Sequence, residues 1–104
     1  MRREAFIMKL KPGCVGEYRR RHDAIWPELV HRHTEYGIRN YSIFLDEKTL
    51  TLFAFREILD GASPERMKED GLVRKWWDYN ADLMDCHEDH EPVSNPLEEV
   101  FHMD

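Results

Sequence analysis

Tyr18 and His22 stand four positions apart in "EYRRRHDAIWPEL", residues 17 to 29, close to one helical turn, so both side chains are aimed at the same region. An imidazole with a reference pKa of about 6.5 gives or takes a proton near neutral pH, and a phenol hydroxyl can hold a polar ligand in place. The pair suits acid/base chemistry on a small polar molecule. The same spacing also suits a Tyr18 that packs and a His22 that rests on the helix surface. Tyr41 offers a second hydroxyl from a strand if its face is the one turned toward the helices, which alternation permits.

Further along, "RKWWDY", residues 74 to 79, sets two tryptophans side by side. Neighbours on a helix point about 100° apart, so Trp76 and Trp77 cannot fill one core slot, and one is expected buried with the other partly displayed. An indole combines a flat apolar face with one N–H donor, which suits a sugar's C–H faces and polar edges. Placing both in core or subunit contact is the alternative. The histidines of "HEDHE", residues 87 to 91, raise the question of a metal. They lie in a loop with no second ligand set at recognisable spacing, and His31 and His33 diverge on a helix, so a solvated acidic loop is expected and no metal site. A glycine-rich phosphate loop, a nucleophile elbow and a supported Cys–His pairing are all absent from the sequence.

These residues need elements to hold them. "EAFIMKLK" alternates Phe6, Met8 and Leu10 against Ala5, Ile7 and Lys9 and ends at "PG", a strand followed by a turn. Residues 14 to 36 carry apolar and aromatic side chains at three- and four-residue steps, an amphipathic helix that stops at Gly37. Pro27 has no amide hydrogen and clashes with the carbonyl four residues back, so a kink or restart is expected there, with Asp23 near enough to help cap the new segment. The break would also keep the mouth of a helix–sheet cleft open. "IRNYSIFLD" and "LTLFAFREI" read as a hairpin across "EKT", with Tyr41, Ile43 and Leu45 on one face. A second helical region is expected from Pro64 to about Asp85, capped by Ser63 and open to interruption at Gly71. "LEEVFHM" supplies a last strand.

The resulting β-α-β-β-α-β order is that of a ferredoxin-like α+β sandwich, with both helices on one face of an antiparallel sheet. Its uncovered face would carry Phe44 and neighbouring apolar residues, so a homodimer is expected. A length of 104 residues suits one domain spanning residues 1 to 104. A formal charge of −6 repels phosphate backbones and anionic lipid, so nucleic acid is not an expected partner, and "YRRRH" reads as a solvated face. Cys14 and Cys86 show no CxxC spacing and suit reduced thiols in the cytoplasm. There is no apolar run for a signal peptide or membrane span, so no membrane association is expected.

Over nearly its whole length the chain resembles the L-rhamnose mutarotase family, through "AFIMKLKPG", "EYRRRHDAIWPEL", "NYSIFLD", "RKWWDY" and "PVSNPLEEVF" in the family's order and spacing. The resemblance implies a dimeric α+β barrel of ferredoxin-like subunits that interconverts the α and β anomers of L-rhamnose without metal or organic cofactor. It further implies His22 as proton donor, with Tyr18, Tyr41, Trp76 and Trp77 binding the sugar. Cys14 and the "CHEDHE" loop depart from the family's pattern. Two rival functions share this fold or chemistry: a cofactor-independent monooxygenase and a non-catalytic sugar sensor.

Overall fold

The computed structural model describes residues 1–104. Four strands, β1 (Arg2–Lys9), β2 (Ile38–Asp46), β3 (Thr51–Ile58) and β4 (Asn95–Leu97), form one antiparallel sheet in the order β2-β3-β1-β4. Two helices, α1 (Val15–Asp23) and α2 (Pro27–Glu35), connect β1 to β2, and α3 (Gly71–Asn80) lies between β3 and β4. This is the ferredoxin-like arrangement expected from the element order. None of the helices is long and apolar enough to cross a membrane.

The predicted long helix is two helices. Ala24, Ile25 and Trp26 leave helical geometry, and Pro27 opens α2 at its first position, where a missing N–H costs no internal bond. Asp23 does not cap the restart: Trp26 holds the N-cap position in extended conformation, and no side chain caps it. Trp26 instead packs edge-on against Trp76, with ring centroids 5.0 Å apart, and stacks on Tyr79 at 5.7 Å. After α2 the chain turns at Gly37, whose φ of +83° and lack of a side chain are both required, since a Cβ there would lie 2.6 Å from that of Ala62.

The region from Pro64 to Asp85 is also divided. Pro64–Glu69 is a 3₁₀ turn, α3 follows, and Ala81–Leu83 is a second 3₁₀ turn. Ser63 makes no capping bond. That role belongs to Asp70, whose carboxylate accepts from the Leu72 and Val73 amides and so starts α3 at Gly71.

The last strand is shorter and earlier than predicted: Asn95, Pro96 and Leu97 pair with Ile7, Phe6 and Ala5, and residues 98–104 have no regular structure. Proline is compatible with this edge position. Of "LEEVFHM" only Leu97 lies in the strand: alternation carried no information about a pairing partner, and Val100, Phe101 and Met103 stand exposed.

Arg21 departs from the expected solvated face. Its guanidinium bonds Glu17, Asp82 and the Tyr79 carbonyl and lies 4.4 Å over the Tyr79 ring, tying α1 to the end of α3. Arg19 and Arg20 do face solvent.

Candidate functional site

The apolar interior falls into two clusters. One joins Met8, Leu10, Tyr18, Leu52, Ala54, Leu83 and Met84; the other joins Leu29, Ile38, Met67, Val73 and Trp76. His22 lies where they meet, its ring centroid 4.1 Å from Tyr18 and 5.2 Å from Trp76. Around this seam a cleft of about 1120 Å³ opens between sheet and helices, lined by Tyr18, His22, Tyr41, Trp76 and Trp77 among others. All five residues singled out from the sequence thus line one cavity of mixed polarity.

The α1 backbone sets the chemistry of His22. Its Nδ1 is 3.0 Å from the Tyr18 carbonyl oxygen, and because a carbonyl only accepts, Nδ1 carries the hydrogen and donates it. Nε2, on the far side of the ring, is left without a protein partner. Burial lowers the His22 pKa below its ordinary value, against the opposing pull of the Tyr18 carbonyl and the Asp23 charge. At neutral pH the ring is therefore neutral, with a lone pair on Nε2. The helical spacing of Tyr18 and His22 thus has a second consequence: residue 18 supplies the carbonyl that selects the tautomer.

Tyr18 and Trp76 are each only 9% exposed. Burial drives the Tyr18 pKa well above the ordinary phenol range, so the hydroxyl stays protonated and available as a donor. Of the adjacent tryptophans, Trp76 is the buried wall and Trp77 the partly displayed one, lying beneath Arg74 with 5.2 Å between guanidinium and ring. Trp26 and Tyr79 brace Trp76 from behind, so the broken helix before Pro27 supports the site indirectly.

Tyr41 reaches the cleft because β2 contains a bulge. Arg39 pairs with Glu57 and Ser42 with Phe55, so Asn40 and Tyr41 together oppose Arg56. Asn40 takes the left-handed conformation, φ +51°, that the extra residue needs. In an unbroken ladder Tyr41 would pair with Phe55 and face outward; with the bulge it shares a face with Ile38, Ile43 and Leu45. There it meets Phe6 at 6.4 Å and His33 at 5.8 Å, both edge-on.

Among the other residues lining the cleft, none of which sequence reasoning placed in the site, are Glu4, His33 and Arg56. His33 repeats the His22 arrangement, with Nδ1 donating to the Leu29 carbonyl at 2.8 Å and burial lowering its pKa. The usable signal was parity: Glu4 and Arg56 alternate in phase with Phe6, Met8, Leu52 and Ala54, and so belong to the helix-facing side.

The acidic loop touches the cleft only through Glu91. Glu91 pairs with Lys68 at 3.2 Å, Asp89 with Arg74 at 3.1 Å and His90 with Asp78 at 2.9 Å, which pins residues 87–91 to the helical layer. No three His, Cys, Asp or Glu side chains converge as a metal-binding group.

A family model described as L-rhamnose mutarotase matches residues 3–103. An L-rhamnose mutarotase of Bacteroides thetaiotaomicron is 49% identical over 104 residues, covering all of both chains. One from Listeria monocytogenes is 47% identical over 103 residues, 99% of each. The crystal structure of an L-rhamnose mutarotase from Formosa agariphila superposes with a TM-score of 0.93 at 45% identity, over the full length of both chains. A Pseudomonas aeruginosa structure of 15% identity, with a TM-score of 0.59, shares the fold.

Proposed function

The chain belongs to the L-rhamnose mutarotase family, and from that premise we propose that it interconverts the α and β anomers of L-rhamnose at the cleft around His22. The observation that supports the assignment of His22 is its tautomer: Nδ1 is committed to the Tyr18 carbonyl, so Nε2 is the nitrogen left free for a substrate, and in the resting protein it is an acceptor.

Mutarotation moves one proton between two oxygens bonded to the same carbon. Nε2 takes the proton of the anomeric hydroxyl; the bond from the anomeric carbon to the ring oxygen breaks, its electrons passing to the ring oxygen, while the anomeric oxygen becomes the aldehyde carbonyl. The imidazolium then delivers its proton to the ring oxygen. Rotation about the bond between the first two sugar carbons presents the other carbonyl face, and the same steps run backward to close the ring. His22 is thus the proton donor, and it receives that proton from the substrate. The Tyr18 and Tyr41 hydroxyls make no hydrogen bond within the protein and are assigned to sugar hydroxyls, with Trp76 and Trp77 against the apolar ring face.

Saturation-transfer NMR on equilibrated L-rhamnose tests this reading: added protein should speed anomer exchange, and binding seen by tryptophan fluorescence without faster exchange would leave only a sensor. The pH dependence has a defined sign. Catalysis needs neutral His22, and its lowered pKa keeps it neutral down to pH values below the ordinary 6.5. Acceleration should therefore be flat through neutrality and decline only on the acid side, with its midpoint under 6.5. A midpoint above that value would contradict an imidazole held neutral by burial.

We further assign the working form as a cytosolic homodimer with Cys14 and Cys86 reduced. On the outer sheet face Ile7, Phe53 and Phe44 lie in one row across three strands, with Phe44 69% and Phe53 42% exposed. An apolar row of this kind favours cover by a second copy. Sedimentation equilibrium should give twice the chain mass, and Phe44→Glu should shift it toward one; an unchanged mass would move the interface elsewhere.

A further inference from the structure

Glu4 and Arg56 are directly paired residues of β1 and β3, and they face the helices instead of solvent. The Arg56 Nε donates to Glu4 Oε1 at 2.8 Å and Nη2 bonds the same oxygen, while the side chains are 17% and 32% exposed. Such a pair is a poor device for stability alone, since well-packed apolar residues of the same volume usually serve as well or better than partly desolvated charges. Its unused bonding capacity is more informative. Arg56 Nη1 makes no hydrogen bond to protein, and Glu4 Oε2 approaches only Arg2, at 3.9 Å, beyond hydrogen-bond reach.

The guanidinium lies 5.2 Å over Phe6 and 6.0 Å over Tyr41, and His33 packs against Tyr41 beside them. Donor, acceptor and phenol therefore stand together at the sheet end of the cleft, while His22 and the tryptophans project into it from the helices. A pyranose has matching asymmetry, with an anomeric centre at one edge and a run of neighbouring hydroxyls at the other.

We infer that this sheet end is a second hydroxyl-binding subsite, in which Arg56 Nη1 donates to, and Glu4 Oε2 accepts from, neighbouring hydroxyls on the edge of the sugar away from the anomeric carbon. The inference rests on the proposed sugar chemistry of the His22 cleft. Arg56 and Glu4 touch no reacting atom in this arrangement. They determine how strongly a hydroxyl-bearing ring is held, and they select against rings that leave the charges unpaired.

The test is the KM-against-kcat split of anomer exchange for Arg56→Met, which keeps the apolar stem over Phe6, alongside Arg56→Lys and Glu4→Gln. Loss of charged hydrogen bonds to bound sugar should raise KM for L-rhamnose about tenfold or more in Arg56→Met, with kcat within about twofold of wild type. Lysine, a point donor without the planar fork, should recover part of the loss. A merely structural pair would leave KM unchanged or lower kcat through a disturbed cleft, and either result overturns the subsite. If Arg56→Met does not fold, the lysine and glutamine variants carry the same measurement. Should wild type fail to speed exchange at all, the mutarotase reading falls separately, and tryptophan-fluorescence titration with L-rhamnose decides the subsite: a Kd about tenfold weaker in the folded variants sustains it, and an unchanged Kd ends it.

Discussion

His22→Ala should lose about 10²–10⁴-fold of the catalysed anomer exchange, the usual contribution of one positioned acid/base group, while still binding sugar. The variant removes the imidazole that touches both Tyr18 and Trp76, whose protonation changes readily near neutral pH and whose Nε2 lacks a protein partner. Tyr18 cannot replace it, because burial holds that phenol protonated far above neutrality. Trp76 keeps its contacts to Trp26 and Tyr79 when the imidazole is removed, so sugar-dependent tryptophan fluorescence should persist. His22→Asn sharpens the comparison: an amide can donate and accept hydrogen bonds but cannot carry the proton from one oxygen to the other. It should be as slow as alanine. Near-wild-type exchange in either folded variant would remove His22 from the chemistry and shift attention to His33, the other imidazole in the cleft with its Nδ1 committed to a carbonyl.

The parts of this site legible in the sequence were those encoded by local spacing. One helical turn joins Tyr18 to His22, Pro27 announces a restart, and adjacent tryptophans must divide between burial and display. Tertiary geometry was legible only where period and parity survived. The bulge at Asn40 shifts that parity, so whether Tyr41 faced inward depended on one residue in left-handed conformation, for which asparagine was the available cue. Charge was the more misleading signal. Arg21 sits in a basic run yet is a clasp between helices, and the Glu4–Arg56 pair looks like ordinary strand-surface charge until both residues are counted in phase with Phe6 and Ala54. Helix starts were missed for a similar reason: Ser63 and Asp23 have suitable chemistry, but capping requires the side chain to reach unsatisfied amides, and only Asp70 does so.

Asp70 should accordingly be the most damaging single replacement for stability. One carboxylate oxygen accepts from the Leu72 and Val73 amides at 2.9 and 3.2 Å, and the other from Arg32 at 2.7 Å and the Tyr36 hydroxyl at 3.0 Å. The side chain is 4% exposed, so Asp70→Ala strands donors on both α2 and α3 with little water to replace the lost acceptor. Loss of the cap and of a largely buried charge contact together should cost about 3 kcal/mol, with a fall in Tm on the order of 15 °C. The pH dependence follows from the carboxyl's position below its ordinary range: burial pushes its pKa up, but Arg32, Tyr36 and the two amides outweigh that and lower it. A group whose folded pKa is depressed contributes its stability fully above the unfolded value and loses it as pH falls through the folded one. Wild type should therefore show an acid loss of Tm that Asp70→Asn lacks, while the asparagine, still able to accept at the cap, melts between wild type and alanine at neutral pH. An alanine variant melting within a few degrees of wild type would mean that α3, and with it the Trp76 wall, is held by packing around Val73 and Leu29 and not by this carboxylate.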